Sequence, residues 1–313
     1  MANKIATREA YGKALAKLGA EYPNIVVLDA DLSKSTKTSD FKKVFPERHI
    51  NMGIAEANMM AVAAGLSSCG KIPFASTFAM FAAGRAFEQI RNTICYPKLN
   101  VKICATHAGL TVGEDGASHQ AIEDLSIMRS IPNMTVISPS DAVETEAAIR
   151  AIVEYNGPCY VRLGRSGVSV INDNPEYKFE IGKGITLREG KEATIIATGI
   201  MVDAALEAYN ILAEEGIKVR VINIHTIKPI DEEIIIKAGR ETGIIITAEE
   251  HNIIGGLGSA VCEVLSENCP VPVIRVGVKD VFGESGKPDE LLKAYGLTAE
   301  DIVKAVKKGI SLK

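Results

Sequence analysis

Short apolar runs rich in β-branched residues alternate along this chain with longer stretches in which apolar residues recur every three or four positions. The first pattern marks buried strands and the second marks amphipathic helices. Strand candidates in the first half are IVVLDA (Ile25 to Ala30), KICATH (Lys102 to His107), TVISPS (Thr135 to Ser140) and CYVRLG (Cys159 to Gly164). Helical patterns lie between them: TREAYGKALAKLGAEY, EANMMAVAAGLSSCG, GRAFEQIRNTICY and DAVETEAAIRAIVEYN. From Ser166 to about Glu192 the pattern breaks into polar, Gly, Asn and Pro-containing sequence that reads as a connector. Alternation then resumes, with strands ATIIATG, KVRVINI, GIIITAEE and VPVIRVGV separated by helices MVDAALEAYNILAEEG, DEEIIIKAGRET and GLGSAVCEVLSEN. The expectation is an α/β protein of two domains, each a mostly parallel sheet covered by helices.

Composition narrows the chemistry. The chain has 313 residues, 47% of them hydrophobic and 24% charged, with a net charge of -4, so no basic face is available for nucleic acid. The six cysteines form no C-x-x-C pair and read as reduced, buried small hydrophobes. Neither a signal-peptide core nor a run of about 18 apolar residues is present, which makes a membrane role unexpected and the cytoplasm the expected location.

The most unusual stretch is THAGLTVGEDGASHQ, Thr106 to Gln120, directly after a strand candidate. In open α/β sheets ligands gather beyond the carboxyl ends of strands, and the glycines let polar side chains be aimed inward. By itself such a loop is either a surface excursion or a ligand site; His107 and His119 lack common zinc spacing, and no metal ligands are assigned. Glu56, in the first turn of a helix of small and apolar residues, is either a solvated helix-start carboxylate or one poised to share a proton with a bound heterocycle. Phe78, Phe81 and Phe87 read as core or as an apolar slot for a planar ring. Arg162, Arg165 and Arg8 are candidates to fork onto a phosphate. Gly255, Gly256 and Gly258 in GGLGSAV lack dinucleotide-loop spacing and are explained by close helix packing. In the second domain His251 of AEEHNIIGG is the one side chain singled out for mutation.

GIAEANM, STFAMF, HAGLTVGEDGASHQAIEDL and SPSDAVET, in this order, resemble the carboxyl-terminal half of transketolase, a thiamine diphosphate enzyme. The likeness implies a pyrimidine-binding domain over 1–167, a linker over 168–186 and the family's C-terminal domain over 187–313. It implies that Glu56 bonds the ring nitrogen of the aminopyrimidine and favours its imino tautomer, and that Phe78, Phe81 and Ile54 grip that ring. His107, Asp115 and His119 match residues that handle sugar hydroxyls and proton transfers, which makes Glu56, His107 and His119 the catalytic candidates. Arg8, Ser35 and Arg165 match positions that bind the sugar phosphate, and Asp31 matches a substrate-side acid.

One departure is as informative as the matches. The family holds its diphosphate through Mg2+ or Ca2+ bound by a G-D-G motif with an asparagine some thirty residues later, and this sequence contains no G-D-G. The chain opens with its own methionine at the domain edge, so the resemblance implies a split transketolase. Its separate amino-terminal subunit would carry that motif and the metal, cofactor would be shared between the chains, sugar phosphates would be substrates, and two copies of each subunit would form an α2β2 assembly. The competing readings are the beta subunit of a 2-oxoacid dehydrogenase, half of a 1-deoxyxylulose 5-phosphate synthase-like enzyme, and a non-catalytic regulatory subunit.

Overall fold

The structure, a computed structural model, describes residues 4–174 and 177–313. In the first half the strands are β1 (Lys4–Ala6), β2 (Ile25–Asp29), β3 (His49–Asn51), β4 (Ile72–Phe78), β5 (Lys102–Thr106), β6 (Thr135–Ile137), β7 (Cys159–Arg162) and β8 (Gly167–Ser169). The second half adds β9 (Ile185–Arg188), β10 (Ala193–Ala197), β11 (Val219–Asn223), β12 (Thr226–Lys228), β13 (Ile245–Asn252) and β14 (Val273–Val278). Seven strands form one sheet in the order β12, β6, β7, β5, β4, β2, β3, and five form a second in the order β14, β13, β10, β11, β9. Only the outermost pairings of β12 with β6 and β9 with β11 are antiparallel in these sheets. The remainder are parallel, as the alternating pattern predicts.

The predicted strands form where apolar β-branched runs are buried on both faces: all five residues of β2, of β5 and of β10 are buried. Other elements escape that pattern. β4 contains Pro73 and small residues, yet it is fully buried and lies between β2 and β5. β8 and β9 fall inside the stretch read as a connector, β8 pairing with β1 and β9 closing the edge of the second sheet. The helical pattern after Phe78 is present as wide π turns at Phe81–Arg85 and Gln89–Cys95. Among the cysteines, Cys95, Cys104 and Cys159 are buried, but Cys69 is exposed because it ends the helix Glu56–Ser68 at the surface.

The two sheets are joined rather than strung together. One apolar cluster runs from Val26, Leu28 and Met59 in the first half to Ile196, Ile222 and Leu257 in the second. β12 leaves the second half altogether to pair with β6, and Lys228 at its end donates to the carbonyls of Arg129 and Ile131. The SPSDAVET segment ties down the linker: Asp141 caps the helix Ala142–Glu154 through the Glu144 amide and accepts from the Ile171 and Asn172 amides at 2.7 Å. No helix among the described residues is long and apolar enough to cross a membrane.

Candidate active site

The carboxyl ends of five of the six parallel strands in the first sheet, all but β6, each deliver a candidate. β2 leads to Asp31, β3 to Ile54 and Glu56, β4 ends on Phe78, β5 leads to His107, and β7 leads to Arg165. His107 sits at φ +57° immediately after β5, a left-handed conformation that turns its ring back over Phe78. The two rings stack at 3.9 Å with an interplanar angle of 24°. Phe81 stacks beside Phe78 at 5.8 Å, and His119 meets the Phe81 ring edge-on at 5.2 Å. The two histidines, twelve positions apart, are thus brought with Phe78 and Phe81 into one aromatic cluster of four rings.

Electrostatics fixes the state of His107. Its Nδ1 lies 2.9 Å from the Thr106 hydroxyl and its Nε2 lies 3.5 Å from Nη1 of Arg8. A guanidinium only donates, so Nε2 accepts and Nδ1 carries the proton. Burial, and then the nearby Arg8, Arg165 and His119, lower its pKa to about 3. The imidazole is therefore neutral across the physiological range.

Arg8 is held by the backbone rather than by a carboxylate: its Nη1 donates to the Ser35 carbonyl at 2.8 Å. Ser35 is thereby brought to the site through its main chain. The turn containing it is built on Asp29, which is fully buried at the end of β2. The Asp29 carboxylate accepts from the Leu32 amide at 2.5 Å, the Thr36 hydroxyl at 2.6 Å and the Thr38 hydroxyl at 2.9 Å. Burial raises its pKa, and these donors oppose the rise. Asp31, at φ +64°, is locked to Asn51 by reciprocal hydrogen bonds of 2.8 and 3.1 Å.

Glu56 opens the helix Glu56–Ser68 and is only 4% exposed. Its Oε1 accepts from Nη1 of Arg85 at 3.1 Å, and the same guanidinium lies over the Phe81 ring, 4.0 Å from its centroid. Ile54, two residues before Glu56, is 77% exposed. Arg165 donates to the Val112 carbonyl and lies 3.6 Å from Glu114 and 3.8 Å from Asp115. Asp115 and Arg165 thus form one polar edge, with the histidines and phenylalanines beside it.

Arg162 requires a correction. Its place at the end of an apolar run suggests a phosphate ligand, but it is 7% exposed and its Nε is paired with the wholly buried Asp124 at 2.9 Å. Its Nη2 donates to the carbonyls of Ala121 and Glu250. Its Nε and Nη2 are thus committed to interior partners, because an inward-facing strand position forces the charge to find them there. His251 is likewise structural, its Nδ1 bonded to the Asn252 carbonyl and its Nε2 accepting from the Ser126 amide. Gly255, Gly256 and Gly258 are indeed packing glycines, since added Cβ atoms would meet Ser126, Glu249 and Arg275 at 2.2, 2.0 and 2.9 Å. Asp29, Arg85 and Glu250 go unnoticed in the sequence; of these only Arg85, four residues after Phe81 at helical spacing, carries a local signal.

The arrangement tests well against an aminopyrimidine. Arg85 presents a planar, nitrogen-edged cation that bonds the buried carboxylate while lying on the Phe81 face, which are the two contacts a flat, basic heterocycle requires. Among the described residues no group of three or more His, Cys, Asp or Glu side chains is placed to hold a metal ion.

A parallel α/β sheet that gathers a buried carboxylate and stacked aromatics at its strand ends, with a second α/β domain behind it, defines the pyrimidine-side half of a thiamine diphosphate enzyme. Sequence comparison carries this further. Residues 3–169 match the pyrimidine-binding domain of transketolase and residues 182–302 match its C-terminal domain. A Methanocaldococcus jannaschii protein provisionally named as a transketolase C-terminal section is 57% identical over 301 residues, covering 96% of this chain and 94% of that one. A solved structure described as a split gene transketolase, inactive beta4 tetramer, superposes with a TM-score of 0.92 at 64% identity and covers 99% of both chains. Rat transketolase is 42% identical over 309 residues, and there the match spans 97% of this chain but 49% of the relative. The chain belongs to the transketolase family and corresponds to the C-terminal part of a split-gene transketolase.

Proposed function

We propose that this chain is the C-terminal subunit of a two-chain transketolase that moves a two-carbon ketol unit between sugar phosphates. A separate amino-terminal chain supplies the diphosphate and Mg2+ or Ca2+ ligands, and the working assembly contains two copies of each. The observation that carries the reading is the buried Glu56 carboxylate bonded to a planar cation on the face of Phe81, beside the exposed Ile54. An apolar side chain left 77% exposed next to a buried charge is accounted for by a surface that closes over both. The inactivity of the related β4 tetramer supports the need for a second kind of chain.

Thiamine diphosphate, when bound, supplies the nucleophilic carbon that carries the two-carbon unit. Glu56 holds the proton on the ring nitrogen of its aminopyrimidine, and Phe78, Phe81 and Ile54 exclude water from that ring. His107, neutral and with its acceptor Nε2 turned toward Arg8, binds a sugar hydroxyl without adding a charge. His119 and Asp115 lie along the same edge to bind and move protons at the sugar oxygens. Arg8 and Arg165, with Ser35 and Asp31 on the facing turn, hold the phosphorylated end of the substrate.

The test is ketol transfer from xylulose 5-phosphate to ribose 5-phosphate by the chain reconstituted with its amino-terminal partner, thiamine diphosphate and Mg2+. Glu56→Gln is expected to assemble normally and to lose nearly all turnover. Full turnover in that variant would assign the chain a scaffolding role instead.

A further inference from the structure

Near its end β13 carries Glu249, Glu250 and His251; Glu249 and His251 lie together on one face, Oε2 of Glu249 3.7 Å from Nδ1 of His251, and Glu250 points away from them. Glu249 accepts from the amides of Leu257 and Gly258 at 2.7 and 2.8 Å, satisfying donors left open at the start of the helix Leu257–Asn268. His251 bonds Asn252 and Ser126 as described above. Glu250 instead reaches out of the second domain into the turn that follows β5. Its Oε1 accepts from the Thr111 amide at 2.6 Å, across 139 residues of sequence.

The turn is shaped to receive this carboxylate. Gly109 sits at φ +80°, and a Cβ placed there would lie 2.2 Å from the Glu250 carboxyl carbon. Any side chain at 109 would displace Glu250. Residues on either side of the clasp belong to the candidate site: His107 lies two residues before Gly109, and the Val112 carbonyl, one residue after Thr111, takes the Arg165 guanidinium. Arg162 braces the clasp from β7 by donating to the Glu250 carbonyl at 2.9 Å. The charged groups facing Glu250 are Arg162 and Asp124, and burial raises its pKa to about 7 against the pull of Arg162 and the Thr111 amide.

A carboxyl group buried at a domain boundary is costly, and an apolar side chain would close the same seam more cheaply. What an apolar residue lacks is a directional bond to one amide in the turn between His107 and the Asp115–His119 edge. We propose that Glu250 is a positioning residue for the site: through the Thr111 amide it sets the height of the turn, and so fixes His107 relative to Arg165 and His119. This rests on the functional reading above. It gives the second domain a share in catalysis without a ligand contact of its own.

The test uses the reconstituted two-chain complex with Glu250→Ala, Glu250→Asp and Glu250→Gln. A turn displaced by about 1 Å costs on the order of 100-fold in rate, so Glu250→Ala should lower kcat by roughly that factor. Glu250→Gln keeps an acceptor oxygen at the same reach and should stay within about threefold of the wild type. Glu250→Asp, one methylene shorter, should fall between them and serves if the alanine variant does not fold. Hydrogen exchange at the Thr111 amide supplies a readout independent of turnover: it should accelerate in the alanine and aspartate variants while the amides of β4 and β5 keep their protection. Wild-type kcat in a folded alanine or aspartate variant, a glutamine variant as slow as alanine, or an unchanged Thr111 exchange rate would each overturn the assignment. A wild-type complex without ketol transfer would instead refute the functional reading, and the exchange measurement separates the two failures.

Discussion

Arg162→Met is the sharpest test of the interior that supports the site. Arg162 is 7% exposed and Asp124 is 0% exposed, and Nε lies 2.9 and 3.1 Å from the two carboxylate oxygens. The methionine keeps most of the packing volume and removes every donor. Asp124 then retains the Tyr160 hydroxyl at 2.8 Å as a donor, and the Ala121 and Glu250 carbonyls lose theirs. Removing one partner of a buried pair costs about 3–5 kcal/mol, because the other charge stays in the interior uncompensated. With a urea m-value of about 3 kcal/mol/M, the midpoint should fall by roughly 1–1.7 M, followed by far-UV circular dichroism on the isolated chain. Replacing the second charge as well tells loss of the pair from loss of packing. Asp124→Asn combined with Arg162→Met should be more stable than the sum of the single losses by about 1–3 kcal/mol. A midpoint shift under about 0.3 M, or strict additivity, would refute the account of Arg162 as a buried brace.

Two further outcomes follow from the site. The His107 ring should show no titration between pH 5 and 8 by NMR, since its pKa is lowered to about 3. The unfolded chain, with a histidine pKa of about 6.5, binds that proton first, so the stabilisation is complete above pH 6.5 and declines as pH falls toward 3. His107→Gln should flatten the stability profile over that interval, and an NMR midpoint near 6 would contradict the geometry. Arg165→Ala should raise the KM for phosphorylated sugars on the order of tenfold in the complex, near the lower end for a charge-assisted bond because the side chain is 36% exposed. An unchanged KM would remove Arg165 from the phosphate end.

What local pattern controls is legible in the sequence. β2, β5, β7, β10 and β11 coincide with apolar runs long enough to be buried on both faces, so the residues at the ends of β2, β5 and β7 can be placed at strand ends from pattern alone. β4 escapes that pattern because alanine, serine and proline dilute its apolar signal, although burial between two strong strands makes its composition irrelevant. β12 escapes it for a different reason: its partner β6 lies about ninety residues earlier, and no period in the sequence reports a pairing so distant. The same limit separates the site residues. Glu56, Phe78, Phe81 and His107 stand in recognisable motifs. Glu250 acquires its meaning from Thr111 and Gly109, and Arg162 is misread from sequence because Asp124, thirty-eight positions upstream, claims it.

A contrast in the exposure of their partners separates the two buried carboxylates Glu56 and Asp124. A buried carboxylate with no partner costs several kcal/mol, and Glu56 is 4% exposed at the start of a helix made of small and apolar residues. Arg85 removes most of that penalty from the solvent side. Its side chain is 53% exposed, so the bond it makes contributes only about 0.2–1 kcal/mol beyond compensating the charge. Such a partner orients the carboxylate without fixing the Phe81 face permanently. The deeply buried pair, Arg162 with Asp124, has the opposite design: both groups are withdrawn from water and held by further hydrogen bonds, as befits a brace that must not move. The weak pair lies on the exposed aromatic edge, where the proposed function places an entering ring, and the strong one lies behind the turn after β5.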